Sequence, residues 1–112
     1  MTVHNMKLKD NPFQAIKAGT KKIEMRLYDD KRRKIKVGDI IEFTHMDTKE
    51  KLNVRVIALH LYPSFEDLYN KFDKVTLGYA PHEIALYTDM EQYYLSMEIE
   101  KYGVIGIEVQ LI

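Results

Sequence analysis

The chain has 112 residues, of which 46% are hydrophobic and 30% charged, with eight Tyr, four Phe and no Cys. That length is one ordinary domain with apolar material for a single core and too much of it for disorder, so a second independent core is not expected. The missing cysteine excludes a disulfide framework, thiolate zinc sites and a cysteine nucleophile, and the 17 basic residues are cancelled by 17 acidic ones, which excludes the strongly basic balance of a domain built wholly around nucleic acid.

Thr2 to Leu8 alternates, with Val3, Met6 and Leu8 apolar, and reads as a first strand. Asp10-Asn11-Pro12 starts a short helix: Asn11 can cap free amides and Pro12 has its backbone angle preset for the first turn. Phe13 and Ile16, with Ala15 beside them, form its apolar stripe, and Gly19 can take the left-handed turn that ends it. Lys21 to Tyr28 alternates again. Ile23, Met25 and Leu27 point one way and Lys22, Glu24, Arg26 and Tyr28 the other, the pattern of a half-buried strand.

Asp29 to Lys36 is a polar, cationic loop, and Val37-Gly38-Asp39 is a turn. Ile40 to His45 and Leu52 to Tyr62 are strands joined by a hairpin turn over 47–50. In the second of them Ile57, Leu59 and Leu61 break the alternation of Leu52, Val54, Val56 and Ala58, which predicts a bulge near Ile57. Ser64 opens a helix reaching Phe72, with Asp67 in the capping position. Thr88 and Glu91 repeat that signature ahead of a predicted helix over Asp89 to Lys101, stopped by Gly103. Val104 to Ile112 is the last strand. Turns too short for crossover helices join the central strands, so a doubly wound sheet does not fit. The expected fold is α+β, a small closed or partly closed β-barrel with peripheral helices, in one domain over residues 1–112.

No apolar run approaches the ~20 residues that span a bilayer. The first nine residues lack the apolar stretch of a signal peptide, so a cytoplasmic protein is the expectation. Charge is unevenly spread: from Lys17 to Lys36 nine Lys or Arg face three acids, and from Glu83 to Glu108 Lys101 stands alone against six acids.

Candidate chemistry concentrates in Gly19-Thr-Lys-Lys-Ile-Glu-Met-Arg26. On a solvated strand Glu24 would merely pair with a neighbouring cation, worth roughly 0–1 kcal/mol. In a pocket, Arg26 offers a planar fork for phosphate or a base edge, Lys21 a point charge, and Glu24 a carboxylate that orients Arg26, accepts from an amine or serves as a general base. Strict alternation sets Lys21 opposite Glu24 and Arg26, so a joint pocket requires Lys21 at the strand mouth. Lys31-Arg32-Arg33-Lys34 is either a solvated run or a track for a phosphate backbone, with Tyr28 placed to stack on a base. Among Tyr79, Tyr87, Tyr93, Tyr94 and Tyr102, Tyr94 is the foremost candidate to line a cleft. His4, His45, His60 and His82 show no metal spacing, so no metal and no cofactor is predicted. Gly38-Asp39 is followed by a strand and is a turn rather than a phosphate loop.

Pro12-Phe13, Ile16, Gly19, Lys21, Glu24, Arg26, the cationic loop, Gly38-Asp39 and Ile41 to Phe43 together resemble an ASCH domain, of the PUA-like superfamily. The resemblance is most specific over residues 6–43. It implies a β-barrel with peripheral helices and a positively lined cleft for RNA or a nucleotide-like ligand. One small branch of the family hydrolyses the acetyl amide of N4-acetylcytidine with a Lys two residues after the helix-ending Gly, a Thr three residues later and a Glu from the helical region. The Lys matches Lys21. The Thr position holds Glu24, which removes the hydroxyl nucleophile, and Glu83 and Glu91 both compete for the acid/base role. Two readings result. One is a binding module using Lys21, Glu24, Arg26, Tyr28, Arg32, Arg33 and Tyr94. The other is a small hydrolase of a modified nucleoside or of RNA, with Lys21 and Glu24 catalytic.

Overall fold

The structure is a computed structural model that describes residues 2–112. Among the described residues five strands form one mixed sheet: β1 (Val3–Leu8), β2 (Ile23–Leu27), β3 (Ile40–His45), β4 (Lys51–Tyr62) and β5 (Val104–Leu111). Their order across the sheet is β1-β3-β4-β5-β2. β1 runs parallel to β3, and every other pairing is antiparallel. The expected barrel is therefore a half-barrel, with β1 and β2 as its two edges. The break anticipated near Ile57 is a register shift between Val56 and Ala58, where the extra residue lets β4 bend.

Side chains from β1, β3, β4 and β5 converge on one face. Met6, Leu8, Ile41, Phe43, Val54, Val56, Ile105, Ile107 and Val109 pack there against Phe13 and Ile16 of α1 (Asp10–Ala18). Residues of the other face, Ile23, Met25, Leu27 and Val104, are covered by Phe65 and Leu68 of α2 (Phe65–Tyr69) and by Leu77 and Met90. The two clusters share one sheet, because β5 is buried on both sides.

β2 is buried on both sides too, which corrects the half-buried strand read from its alternation. Ile23 and Leu27 lie opposite Glu108 and Val104, on the face that α2 covers. Glu24 and Arg26 lie opposite Ile107 and Ile105, on the converging inner face. The alternation holds, but the residues that cover the apolar face come from 38 to 67 positions downstream and leave no periodic trace in β2 itself.

Local corrections have local causes. Lys9, not Asn11, precedes the first helical residue of α1, and the Asp10 carboxylate meets His45 Nε2 at 2.9 Å instead of capping. Gly19 does end the helix, at φ 85°. Ser64 caps α2 as expected, its hydroxyl accepting from the Asp67 amide at 3.2 Å, but the helix ends at Tyr69. The predicted helix over 89–101 is two pieces, a 3-10 segment Tyr87–Gln92 and α3 (Ser96–Tyr102). Burial of Met90 and the stacking of Tyr94 on Phe65, with ring centroids 5.9 Å apart, outweigh the continuous helical pattern. No helix among the described residues is long and apolar enough to cross a membrane.

Candidate functional site

Lys21 precedes β2, in the connection from Gly19, and so escapes the alternation that would have set it against Glu24 and Arg26. Its Nζ lies 3.4 Å from Glu24 Oε1 and donates to the Leu77 carbonyl at 2.7 Å. The other Glu24 oxygen accepts from Arg26 Nε at 2.8 Å, and Arg26 Nη2 donates to the Lys7 carbonyl at 2.8 Å. Lys21 and Glu24 are each only 5% exposed. These are buried ions, and their partners decide their state.

Burial by itself would raise the Glu24 carboxyl, but Arg26 and Lys21 outweigh it and hold the group below its usual range. Burial pushes the Lys21 ammonium down, against the opposing pull of Glu24. For Arg26, burial acts downward and Glu24 more than reverses it. With Glu24 3.4 Å away and the Leu77 carbonyl accepting at 2.7 Å, Lys21 sits as an ammonium between acceptors, and the cluster pairs two cations with one anion. Gly78 makes room for it: at φ 111°, its backbone lies so close that a Cβ there would sit 2.9 Å from Lys21 Cδ.

These residues line a cavity of about 850 Å³, within the range of small-molecule pockets. Its apolar wall includes Leu8, Pro12, Met25 and Leu77, and its aromatic wall Tyr69, Tyr79, Tyr93 and Tyr94. Lys9 Nζ lies 5.2 Å from the Tyr93 ring centroid. Burial, ahead of the opposing effect of Arg26, raises the Tyr94 phenol. The Tyr79 phenol lies far above its usual value, from burial and then from its hydrogen bonds to Tyr69 and Asp89.

Of the residues singled out by sequence, Lys21, Glu24, Arg26 and Tyr94 line this cavity, while Tyr28, Arg32 and Arg33 do not. The Arg33 guanidinium covers the Tyr28 ring at 4.2 Å, so stacking on that face is already taken. Arg32 pairs with Asp29 at 3.1 Å. Lys31 reaches across to the Asn5 carbonyl at 2.8 Å. With Arg26 on Lys7, that places two side-chain cations on the exposed carbonyl edge of β1, bridging it to the β2 side where no ladder forms. Of the two competing acids, Glu83 lines the cavity and Glu91 does not. Sequence reasoning missed Tyr69, Asp89, Gly78 and the Leu77 carbonyl. They lie on segments whose approach to β2 is set only by tertiary packing, and a carbonyl has no sequence signature. Among the described residues no group of three or more His, Asp or Glu could hold a metal ion.

The ASCH domain model matches residues 6–112. The chain is similar in structure to the hypothetical protein PH0355, at a TM-score of 0.80 and 35% identity, covering 99% of this chain and 100% of that one. It is similar also to protein PF0455 from Pyrococcus furiosus, solved in solution, at a TM-score of 0.72 and 34% identity over 99% and 98%. An ASCH domain from Lactobacillus crispatus JV V101 shares the fold at a TM-score of 0.66 and 14% identity, over 98% of this chain and 79% of that one. No curated protein matches it. With the half-barrel, the covering helices and the family match over nearly its whole length, the chain belongs to the ASCH domain family, a family generally associated with RNA binding.

Proposed function

We propose that the chain binds RNA or a nucleotide-like ligand in the cavity beside Lys21, Glu24 and Arg26. The observation that carries this is the buried ion cluster opening into an aromatic-walled cavity of nucleotide size. Lys21 has three N–H donors and Arg26 five. Contacts within the protein use two of each, Leu77 and Glu24 for Lys21, Glu24 and Lys7 for Arg26, leaving one and three. Such donors, held rigid and partly desolvated, suit a phosphate or a base carbonyl. Tyr93, half exposed beside them, offers a ring for stacking. Arg32 and Arg33 take a lesser part in this reading, since Asp29 and Tyr28 engage them, and they contribute long-range attraction for phosphates rather than base contacts.

The alternative is a small hydrolase of a modified nucleoside or of RNA. It asks Glu24 to activate water. A carboxylate held ionised below its usual range by two cations is a weak base, and both its oxygens are engaged. Binding is therefore the better-supported reading.

The test is fluorescence anisotropy with a labelled short single-stranded RNA over a salt series, followed by competition with nucleoside monophosphates. Affinity that falls as salt rises, with displacement by the monophosphates, is expected. No binding at low salt removes the proposal. Incubation with N4-acetylcytidine, with Lys21→Ala as the control, tests the alternative. Release of cytidine by the parent but not the variant would replace binding with hydrolysis.

A further inference from the structure

A second polar cluster, sharing no side chain with the ion cluster, lines the same cavity. Tyr69, at the end of α2, Tyr79, just past Gly78, and Asp89, in the 3-10 segment, are joined oxygen to oxygen. The Tyr79 hydroxyl lies 2.7 Å from Asp89 Oδ2, 2.8 Å from the Tyr69 hydroxyl and 3.4 Å from the Leu86 carbonyl.

The direction of this chain follows from counting hydrogens. A phenol has one hydrogen to give. A carboxylate and a carbonyl have none. Whether Tyr79 donates to Asp89, the shorter and charge-assisted contact, or to Leu86, its hydrogen is committed to a group that can only accept. At the 2.8 Å contact Tyr79 must then accept, and Tyr69 must donate. The hydrogen of Tyr69 is in turn committed, so toward the cavity that this residue lines its oxygen can act only as an acceptor. The Tyr79 phenol is held protonated, by burial first and then by both partners, which keeps the chain intact across neutral pH.

We infer that the Tyr69–Tyr79–Asp89 chain makes its part of the cavity wall accept hydrogen bonds and never donate them, so that it selects ligands presenting an amino group there over their oxo counterparts. Lys21 and Arg26 are the reverse, donors without an acceptor. The cavity wall therefore carries one group of donors and one group of acceptors. An amino-bearing base with its carbonyl or phosphate toward Lys21 and Arg26 satisfies both. An oxo base set the same way brings a carbonyl oxygen against the lone pairs of Tyr69, and an unpaired acceptor in a desolvated site is costly.

This inference rests on the nucleotide reading of the cavity, and the experiment separates the two. Isothermal titration at fixed salt compares AMP with IMP and CMP with UMP, each pair exchanging an amino group for an oxo group and the adjacent ring nitrogen from acceptor to N–H donor. In at least one pair the amino member is expected to bind about fivefold to tenfold more tightly, the worth of one neutral hydrogen bond. In Tyr79→Phe the Tyr69 hydrogen is released and can donate into the cavity, so the preference is expected to fall below about twofold or reverse. Asp89→Asn, whose amide can either donate or accept, leaves only the long 3.4 Å contact to the Leu86 carbonyl to hold the direction, keeps both rings, and is expected to reduce the same ratio. Preference below about twofold in both pairs overturns the inference while leaving nucleotide binding in place. So does a variant that weakens both members equally and preserves their ratio. No binding of any of the four overturns the nucleotide reading, and this inference with it.

Discussion

Replacing Glu24 by Gln keeps the volume and one carbonyl oxygen but removes the charge that balances Lys21 and Arg26. The two contacts lie at 3.4 Å and 2.8 Å. At an effective dielectric near 20, a pair at such a distance attracts by roughly 5 kcal/mol, most of it offset by the cost of having buried the ions. What the substitution exposes is that cost, since two cations remain at the inner face with no anion. The expected loss is about 3–5 kcal/mol, against a total of about 5–15 kcal/mol for a domain of this kind. At roughly 4 °C per kcal/mol for a chain of this length, the melting temperature should fall by about 12–20 °C. Thermal unfolding followed by circular dichroism measures it. The triple variant Lys21→Met, Glu24→Leu, Arg26→Met removes all three charges together and should recover most of the loss, because apolar side chains of similar volume can replace a buried ion cluster at little cost. A fall of less than about 4 °C in Glu24→Gln, or a triple variant no more stable than the single one, would refute the buried, ionised cluster.

Other positions give separate tests. Gly78→Ala forces a side chain into a positive-φ position and against Lys21, so it should cost about 1–3 kcal/mol in urea unfolding and weaken ligand binding as well; a variant of unchanged stability and affinity would contradict that close approach. His45 accepts at Nδ1 from the amides of Asp47 and Thr48, both at 3.1 Å, so its hydrogen sits on Nε2 facing Asp10. His45→Leu strands two backbone donors and should cost about 1–3 kcal/mol, and nitrogen NMR should find the neutral ring protonated at Nε2; the other tautomer would undo the assignment. Asp39 is held below its usual 3.8 by its hydrogen bonds to His4 first and then to the Lys36 amide. A depressed carboxyl contributes stability that is full above its unfolded value and lost as pH falls through the folded one. Asp39→Asn should therefore flatten the loss of stability on acidification below about pH 4, and an unchanged slope in acid-dependent unfolding would count against that pairing.

Much of the fold could be read along the chain because its signals are local. Gly19, Ser64 and the broken alternation at Ile57 act within a few residues, and each does in the structure what its chemistry requires. The site was legible only in part, for a related reason. Lys21, Glu24 and Arg26 lie close in sequence, so their spacing could be weighed; the face of Lys21 is resolved by its position ahead of the ladder, and the burial of Glu24 by residues far along the chain. The contacts of the cationic loop could not be read, because a run of charges does not reveal its partners. Lys31 spends its charge on the Asn5 carbonyl, Arg32 on Asp29 and Arg33 on the ring of Tyr28. The break between Gln92 and Ser96 was hidden beneath a helical pattern that the stacking of Tyr94 on Phe65 overrides.

The partners of the ion cluster bear on the order in which this molecule assembles. The carbonyl that holds Lys21 lies 56 residues away in the chain, and the one that holds Arg26 lies 19 away on the far edge of the sheet. Neither is in place until the first strand has paired in parallel with the third and the segment after α2 has closed over the second, long-range events that come late and slowly. Until then the two cations and their carboxylate are better off in water. A nascent or partly opened chain therefore has a hydrated, featureless stretch where the finished protein has a charged cavity, and the cavity itself arrives only with completion of the fold.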